Sequence, residues 1–194
     1  MVYVIALSLD HRTLKRLQYM TGAACYPFLS FTLNFEDNTI TDNLHSSAQN
    51  ISEVMAMKFI APMLCHYTMG NPSPLTGRLI KFRNLPGGYA YEGAFINRAV
   101  SPLVQIFGEN PSMLVEAVEF LGGRGLSLGD VSAELLTLPG IPLTFILYGS
   151  DEFGASANIL YDESAQSFLP TEDLAVLGEL TVLRLIEAKK DLEK

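Results

Sequence analysis

The chain is poor in the residues that staple small folds or build metal clusters. Among 194 residues there are two cysteines, Cys25 and Cys65, too far apart in sequence to form a disulfide framework or a zinc motif. Cations are scarce as well: 13 Lys and Arg stand against 21 Asp and Glu, for a net charge of −8. Nonspecific nucleic-acid binding draws on a basic surface, and anionic membrane surfaces repel an acidic protein, so both partner classes are excluded. No apolar run is long enough to span a bilayer. The best candidate, Ile51 to Met69, is interrupted by Glu53, Lys58, Pro62 and His66 and reads as a buried helix. The apolar stretch Val2–Leu9 has no basic flank before it and no small-residue cleavage pattern after it, so it is expected to be a strand rather than a secretory leader. Gly87-Gly88 fits neither a P-loop nor a dinucleotide fingerprint, and no nucleophile elbow is present. A cytoplasmic location is the expectation.

What remains suits a globular domain. The hydrophobic fraction of 48% can fill a core, and no repeat, low-complexity run or linker divides the chain. Asp10 to Met20 predicts a helix closed by Gly22. Phe28 to Phe35 alternates as one half-buried strand, then turns at Glu36-Asp37-Asn38 into a hairpin with Thr39-Ile40-Thr41. Ile51–Met69 follows as a helix capped by Asn50 or Ser52 and kinked at Pro62. Leu79–Leu85 predicts a strand, Tyr89–Phe107 a helix interrupted at Pro102, and Asn110-Pro111 the start of a helix closed by Gly122. Strands are expected at Val131–Leu138, Leu143–Tyr148 and Asn158–Tyr161. Thr171 caps a last helix with Val176, Leu180, Leu183 and Ile186 as its apolar face. Irregular alternation with hairpins predicts a single α+β domain over residues 1–194, its mixed or mainly antiparallel sheet packed against four to five helices.

Two segments carry chemistry. After an apolar strand come the adjacent carboxylates Asp151 and Glu152, with Asp162, Glu163, Glu172 and Asp173 downstream. Asp151 and Glu152 could serve as a general acid/base pair, or with Asp162 as oxygen ligands to a divalent cation. If the two strands pair, Asp151 and Asp162 fall at opposite ends of the hairpin. The ordinary alternative is a turn whose Asp accepts from backbone amides, with Glu172 and Asp173 placed for the helix dipole. The second segment is basic. Arg78, Lys81, Arg83 and Arg98 cluster around Asn-Leu-Pro-Gly-Gly, and a helix opening at Gly87-Gly88 could bind an anion with Arg83 forking onto it, Arg98 close by and Tyr89 and Tyr91 stacking. The alternative is a solvated strand edge with ion pairs into the acidic turn. Cys65-His66 with nearby methionines could offer soft metal ligands. Adjacent helical residues point about 100° apart, however, and methionine is a common core filler.

The blocks PLTGRLIKFRNLPGGYAYEGAF, LPGIPLTFILYGSDEF and ILYDESAQSFLPTEDLAVLGEL, taken in order, resemble the prokaryotic family catalogued as domain of unknown function 3786. The resemblance runs from about the first helix to the last. It implies company typical of anaerobes, in which some members carry an added cysteine-rich iron–sulfur domain, and hence a link to anaerobic redox or corrinoid metabolism. It implies no activity and names no cofactor. This chain lacks the cysteine-rich part, has Gly154 where proline is expected, and has Tyr161 where phenylalanine is expected. The combined expectation is a binding or accessory protein for a small anionic ligand, a cofactor or a partner enzyme. The alternatives are a hydrolase or lyase acting through Asp151 or Glu152, and a structural subunit of a complex.

Overall fold

A computed structural model describes residues 4–44, 55–151 and 154–194, with Ser150 and Asp151 described by backbone alone. The chain is α+β and builds two antiparallel sheets. The first has strand order β1-β4-β3-β2, from β1 (Val4–Ala6), β2 (Cys25–Phe28), β3 (Phe31–Asn34) and β4 (Thr39–Asp42). The second has order β5-β9-β8-β7-β6, from β5 (Leu79–Lys81), β6 (Arg124–Leu126), β7 (Val131–Leu138), β8 (Ile141–Asp151) and β9 (Gly154–Asp162). One buried apolar cluster draws residues from both sheets and from the helices.

Helix α1 (His11–Thr21) starts at Asp10, whose carboxylate accepts from the backbone of Arg12 and Thr13, and stops at left-handed Gly22. The expected single strand Phe28–Phe35 is instead two strands, β2 and β3, folded at Leu29-Ser30. Leu29, Phe31, Leu33 and Phe35 are all buried as their alternation requires, but Leu29 takes a left-handed φ of 57°. A turn whose only turn-favouring residue is a serine, with leucine at the left-handed position, carries a weak sequence signal. The Asn38 turn into β4 forms as expected, with Asn38 also at positive φ.

The two prolines expected to kink or interrupt helices do something more specific. Helix α2 (Ala61–Met69) is preceded by a π turn, Ala56–Ile60, and helix α4 (Ser101–Phe107) by a π turn, Ile96–Val100, that continues α3 (Gly88–Phe95). In each case the residue before the proline reaches back to a wider register. Ala61 N–H bonds the carbonyl of Ala56, and Ser101 N–H bonds that of Ile96. Proline lacks an N–H and its ring clashes with the carbonyl four residues back. A π turn just upstream opens the ladder there without ending the helix. The start of the first of these helices, with the caps Asn50 and Ser52, lies outside the described residues.

Strand β5 is shorter than expected. It ends at Lys81 and passes into a 3-10 turn, Phe82–Asn84, so Lys81 and Arg83 do not share a strand face. Helix α5 (Ser112–Phe120) leads to the edge strand β6, and the short α6 (Ala165–Phe168) precedes α7 (Thr171–Leu192). Residues Ile141 to Leu147 of β8 are buried on both faces of the strand, which explains their unbroken apolar run.

Helix α7 joins the two sheets. Its first residue is Thr171 and its cap is Pro170; the Thr171 hydroxyl donates instead to the carbonyl of Pro86, 2.7 Å away. Glu172 and Asp173 sit in its first turn and Lys189 and Lys190 in its last, as the dipole favours. Its buried residues include Leu174, Leu177, Leu180, Thr181, Leu185 and Ala188; of the expected stripe Leu180 is buried and Ile186 packs against the core, whereas Leu183 is 40% exposed, because a helix packed by neighbours on several sides carries more than one apolar face. Towards the second sheet, the Tyr161 hydroxyl of β9 donates to the Leu174 carbonyl at 2.8 Å. Gly178 lies against the same ring, where an added Cβ would come within 2.6 Å of the Tyr161 oxygen. Towards the first sheet, Arg184 donates to Asp42 of β4 and to Ser30 of the β2–β3 turn, with its guanidinium 4.4 Å from the Phe31 ring centre.

Arg184 and Asp42 have side chains only 5% and 2% exposed, so removing one leaves the other charged and buried. Arg184→Met is expected to cost about 3–5 kcal/mol. Arg184→Met combined with Asp42→Leu should recover most of that loss. Urea unfolding of the two variants measures both, and equal losses in the single and double variants would show that the pair is not the source.

Candidate functional site

The Arg83 loop and the backbone of Asp151 do not meet. Strand β9 pairs with β5 at Lys81↔Leu160 at one end and closes on β8 at Asp151↔Gly154 at the other. Six residues of strand separate Gly154 from Leu160, about 20 Å at a strand rise of ~3.3 Å per residue. The backbone of Asp151 is thus at the far end of the sheet from the Arg83 loop. The Asp151 side chain and the whole of Glu152 lie outside the described residues. Among the described residues no group of three or more His, Cys, Asp or Glu is placed to hold a metal ion.

Asp162 sits at the other end of β9 and is buried. Its carboxylate accepts from Thr76 N–H and Oγ1, from Ser164 N–H and Oγ, and from Gly77 N–H, at 2.6–3.0 Å. These donors staple the loop before β5 to the end of β9 and occupy both oxygens. Burial acts to raise the pKa, but the hydrogen bonds from Ser164 and Thr76 outweigh it and bring the group down to about 2.

Arg83 is engaged within its own segment. Its Nε lies 3.7 Å from Glu92, and its guanidinium lies 5.4 Å from the Tyr89 ring centre. Arg78 pairs with Glu163 at 3.1 Å. The glycine pair has a local explanation. Gly87 caps α3 at φ 75°, and a Cβ on Gly88 would sit 2.1 Å from the Phe82 carbonyl oxygen. Gly88 N–H bonds the Leu85 carbonyl at 2.8 Å, so this amide is already used.

Tyr91 and Arg98 are brought together. Seven residues apart and roughly two turns along one face, they line a depression of about 220 Å³ closed by Phe82, Phe95 and Ala175. Beyond Arg98 it adjoins a second depression of about 310 Å³, lined by Met55, Phe59, Val176, Glu179, Leu180 and Leu183. Arg98, Val176 and Glu179 belong to both, so the two form one groove along α7. The stripe Val176, Leu180 and Leu183, expected as core, is its floor, and Leu183 stays 40% exposed. Phe59 and Arg98 each come from one of the π turns, a local geometry that recurs at functional sites because it re-aims side chains. No ion-pair partner of Arg98 is present among the described residues, and Glu179 faces the same space. The guanidinium is therefore available to an anion in a groove whose other walls are mainly apolar but include the carboxylates Glu172 and Glu179.

A family model described as "Domain of unknown function (DUF3786)" matches residues 30–184. The chain belongs to that family. No curated protein and no solved structure matches it. The DUF3786 span includes both π turns, Arg98 and the whole groove floor. Also within it is a pair that the linear sequence does not reveal. His66 of α2 places Nδ1 2.6 Å from Asp173 of α7, across 107 residues. Among the described residues no helix is long and apolar enough to cross a membrane.

The Asp162 staple has a pH signature. Its folded pKa lies below the ordinary carboxylate value of 3.8, so its stabilisation is complete above that value and is lost as pH falls through about 2. The shift corresponds to about 2 kcal/mol at neutral pH. Asp162→Asn should reduce stability by about that amount at pH 7, and the gap between the variant and the parent should close by pH 2. A gap that stays constant with pH would assign the loss to packing instead.

Proposed function

We propose that the protein is a binding or accessory protein whose groove along α7 holds a small amphipathic ligand. Such a ligand would bring an apolar body for Phe59, Val176 and Leu183, an anionic group for Arg98, and a hydrogen-bond donor for Glu179. The observation that carries this reading is Arg98 itself, a cation without an ion-pair partner among the described residues in a groove whose other walls are mainly apolar. A concave apolar surface with few polar groups is the usual form of a small-molecule site. The family resemblance would place such a protein alongside anaerobic redox or corrinoid metabolism, as a carrier or as a companion of a partner enzyme. Acid/base hydrolase or lyase chemistry is the alternative. The His66–Asp173 pair favours it, because a carboxylate on Nδ1 orients the ring and leaves Nε2 to take a proton.

Anilinonaphthalene sulfonate, an apolar ring system bearing one anion, is a suitable probe. It should bind the folded protein with a fluorescence gain. Arg98→Ala should weaken binding by about 10-fold or more, the value of one charge-assisted hydrogen bond. Leu183→Arg should block the groove without lowering the melting temperature, since the side chain is partly exposed. Undiminished probe binding in both variants would overturn the groove assignment.

A further inference from the structure

A second concave surface lies away from α7, between α1 and α2. Three cations occupy one face of α1: Arg12, Lys15 and Arg16, at spacings of three and four that bring helical side chains together. They line a cleft of about 860 Å³ whose opposite wall includes Cys65 and Thr68 of α2. None of the three has an ion-pair partner among the described residues, although the chain carries 21 acidic residues for only 13 basic ones. The one carboxylate on the cleft wall, Asp10, turns both oxygens to its own helix, accepting from Arg12 N–H, Thr13 N–H and Thr13 Oγ1 at 2.8–2.9 Å. Three cations against one carboxylate leave the cleft net positive in an otherwise acidic molecule, and concave walls focus such a field.

The cleft continues onto an aromatic shelf. Tyr19, 78% exposed, lines both the basic cleft and a neighbouring depression of about 510 Å³ edged by Pro72, Pro139 and Phe168. Arg16 lies 5.5 Å from the Tyr19 ring centre, so the last cation and the first ring are in contact. Charge and ring thus succeed one another along a single trough. This part of α1 precedes the family match at residues 30–184, so it is a feature of this chain beyond the matched span.

We propose that this trough binds a ligand that joins a planar ring to two or more phosphates, in chemical terms a nucleoside diphosphate or triphosphate. The phosphates lie against Arg12, Lys15 and Arg16, where guanidinium groups can fork onto pairs of phosphate oxygens. The ring stacks on Tyr19, a contact that tolerates any base because every base offers a π face. The trough shares no lining residue with the α7 groove, so the two sites stand or fall separately.

Calorimetric titration of the full chain with ADP, inorganic pyrophosphate and adenosine tests the proposal. ADP should bind most tightly, pyrophosphate more weakly, and adenosine weakest. Arg12→Glu with Arg16→Glu should weaken ADP by at least 10-fold and flatten its salt dependence. Lys15→Glu alone should act in the same direction should the double variant fold poorly. Tyr19→Ala should bring ADP down to the affinity of pyrophosphate, and Arg98→Ala should leave ADP binding unchanged. No binding of ADP at millimolar concentration overturns the proposal, as does binding indifferent to the charge reversals. Pyrophosphate binding as tight as ADP overturns it too, because it would remove any role for the ring shelf.

Discussion

The buried ion pair between Arg184 and Asp42 is the constraint on which the rest of the arrangement depends. It joins the last long helix to the first sheet across 142 residues of sequence, and Ser30 and the Phe31 ring complete the cage around the guanidinium. A charge this far from water is tolerable only when its partner and remaining donors are fixed. The pair therefore sets the rotation of α7 about its own axis. Once that rotation is set, Gly178 meets Tyr161, Leu174 receives the tyrosine hydroxyl, and Val176 and Leu183 are left to line the groove, with Leu183 40% exposed. The floor of the groove exists because the other faces of the helix are committed elsewhere.

The walls of that groove follow from two prolines. Pro62 and Pro102 each sit two residues after a π turn, and each π turn supplies one wall side chain, Phe59 or Arg98. Proline in a helix is usually read as a break or a kink. Here the chain opens its ladder by one residue just upstream and remains helical, so the proline's effect is to rotate the preceding side chains. Two such events, on helices far apart in sequence, deliver an aromatic ring and a guanidinium to the same side of α7.

The separation of charge is as informative as its clustering. The backbone of Asp151 at the end of β8 and the basic loop after β5 are held apart by the length of β9. Antiparallel pairing places the β8–β9 turn at one end and the β5 edge at the other, so no rearrangement short of breaking the sheet can join them. Most of the basic segment is consumed locally, Arg78 by Glu163 and Arg83 by Glu92 and Tyr89. Among the described residues, cations without an ion pair include Arg12, Lys15 and Arg16 on α1, Lys58, Lys81 and Arg98. The two concave surfaces differ in kind, one basic and ringed, the other mainly apolar with Arg98, Glu172 and Glu179, and they suit different ligands.

Sequence patterning by itself determined the α+β class, the antiparallel hairpins, the α1 boundaries and the dipole-matched ends of α7. Those features rest on local rules: alternation, caps, Gly22 after a helix, and the bulk of Ile141–Leu147. The opposite ends assigned to Asp151 and Asp162 were legible too, because strand periodicity fixes them once pairing is granted. The fold at Leu29-Ser30, the early end of β5 and the edge strand β6 were not, since each depends on neighbours rather than on residue type. Of the basic-segment residues, Tyr91 and Arg98 line the groove, whereas Arg83, Gly87 and Gly88 have local partners. Spacing could say which side chains share a helix face, but only the tertiary structure decided which face is covered, which cation is already paired, and which distant helix supplies the opposite wall. Burial and pairing are properties of the assembled chain, because the groups that exclude water from a residue such as Arg184 or bond His66 to Asp173 lie a hundred or more positions away.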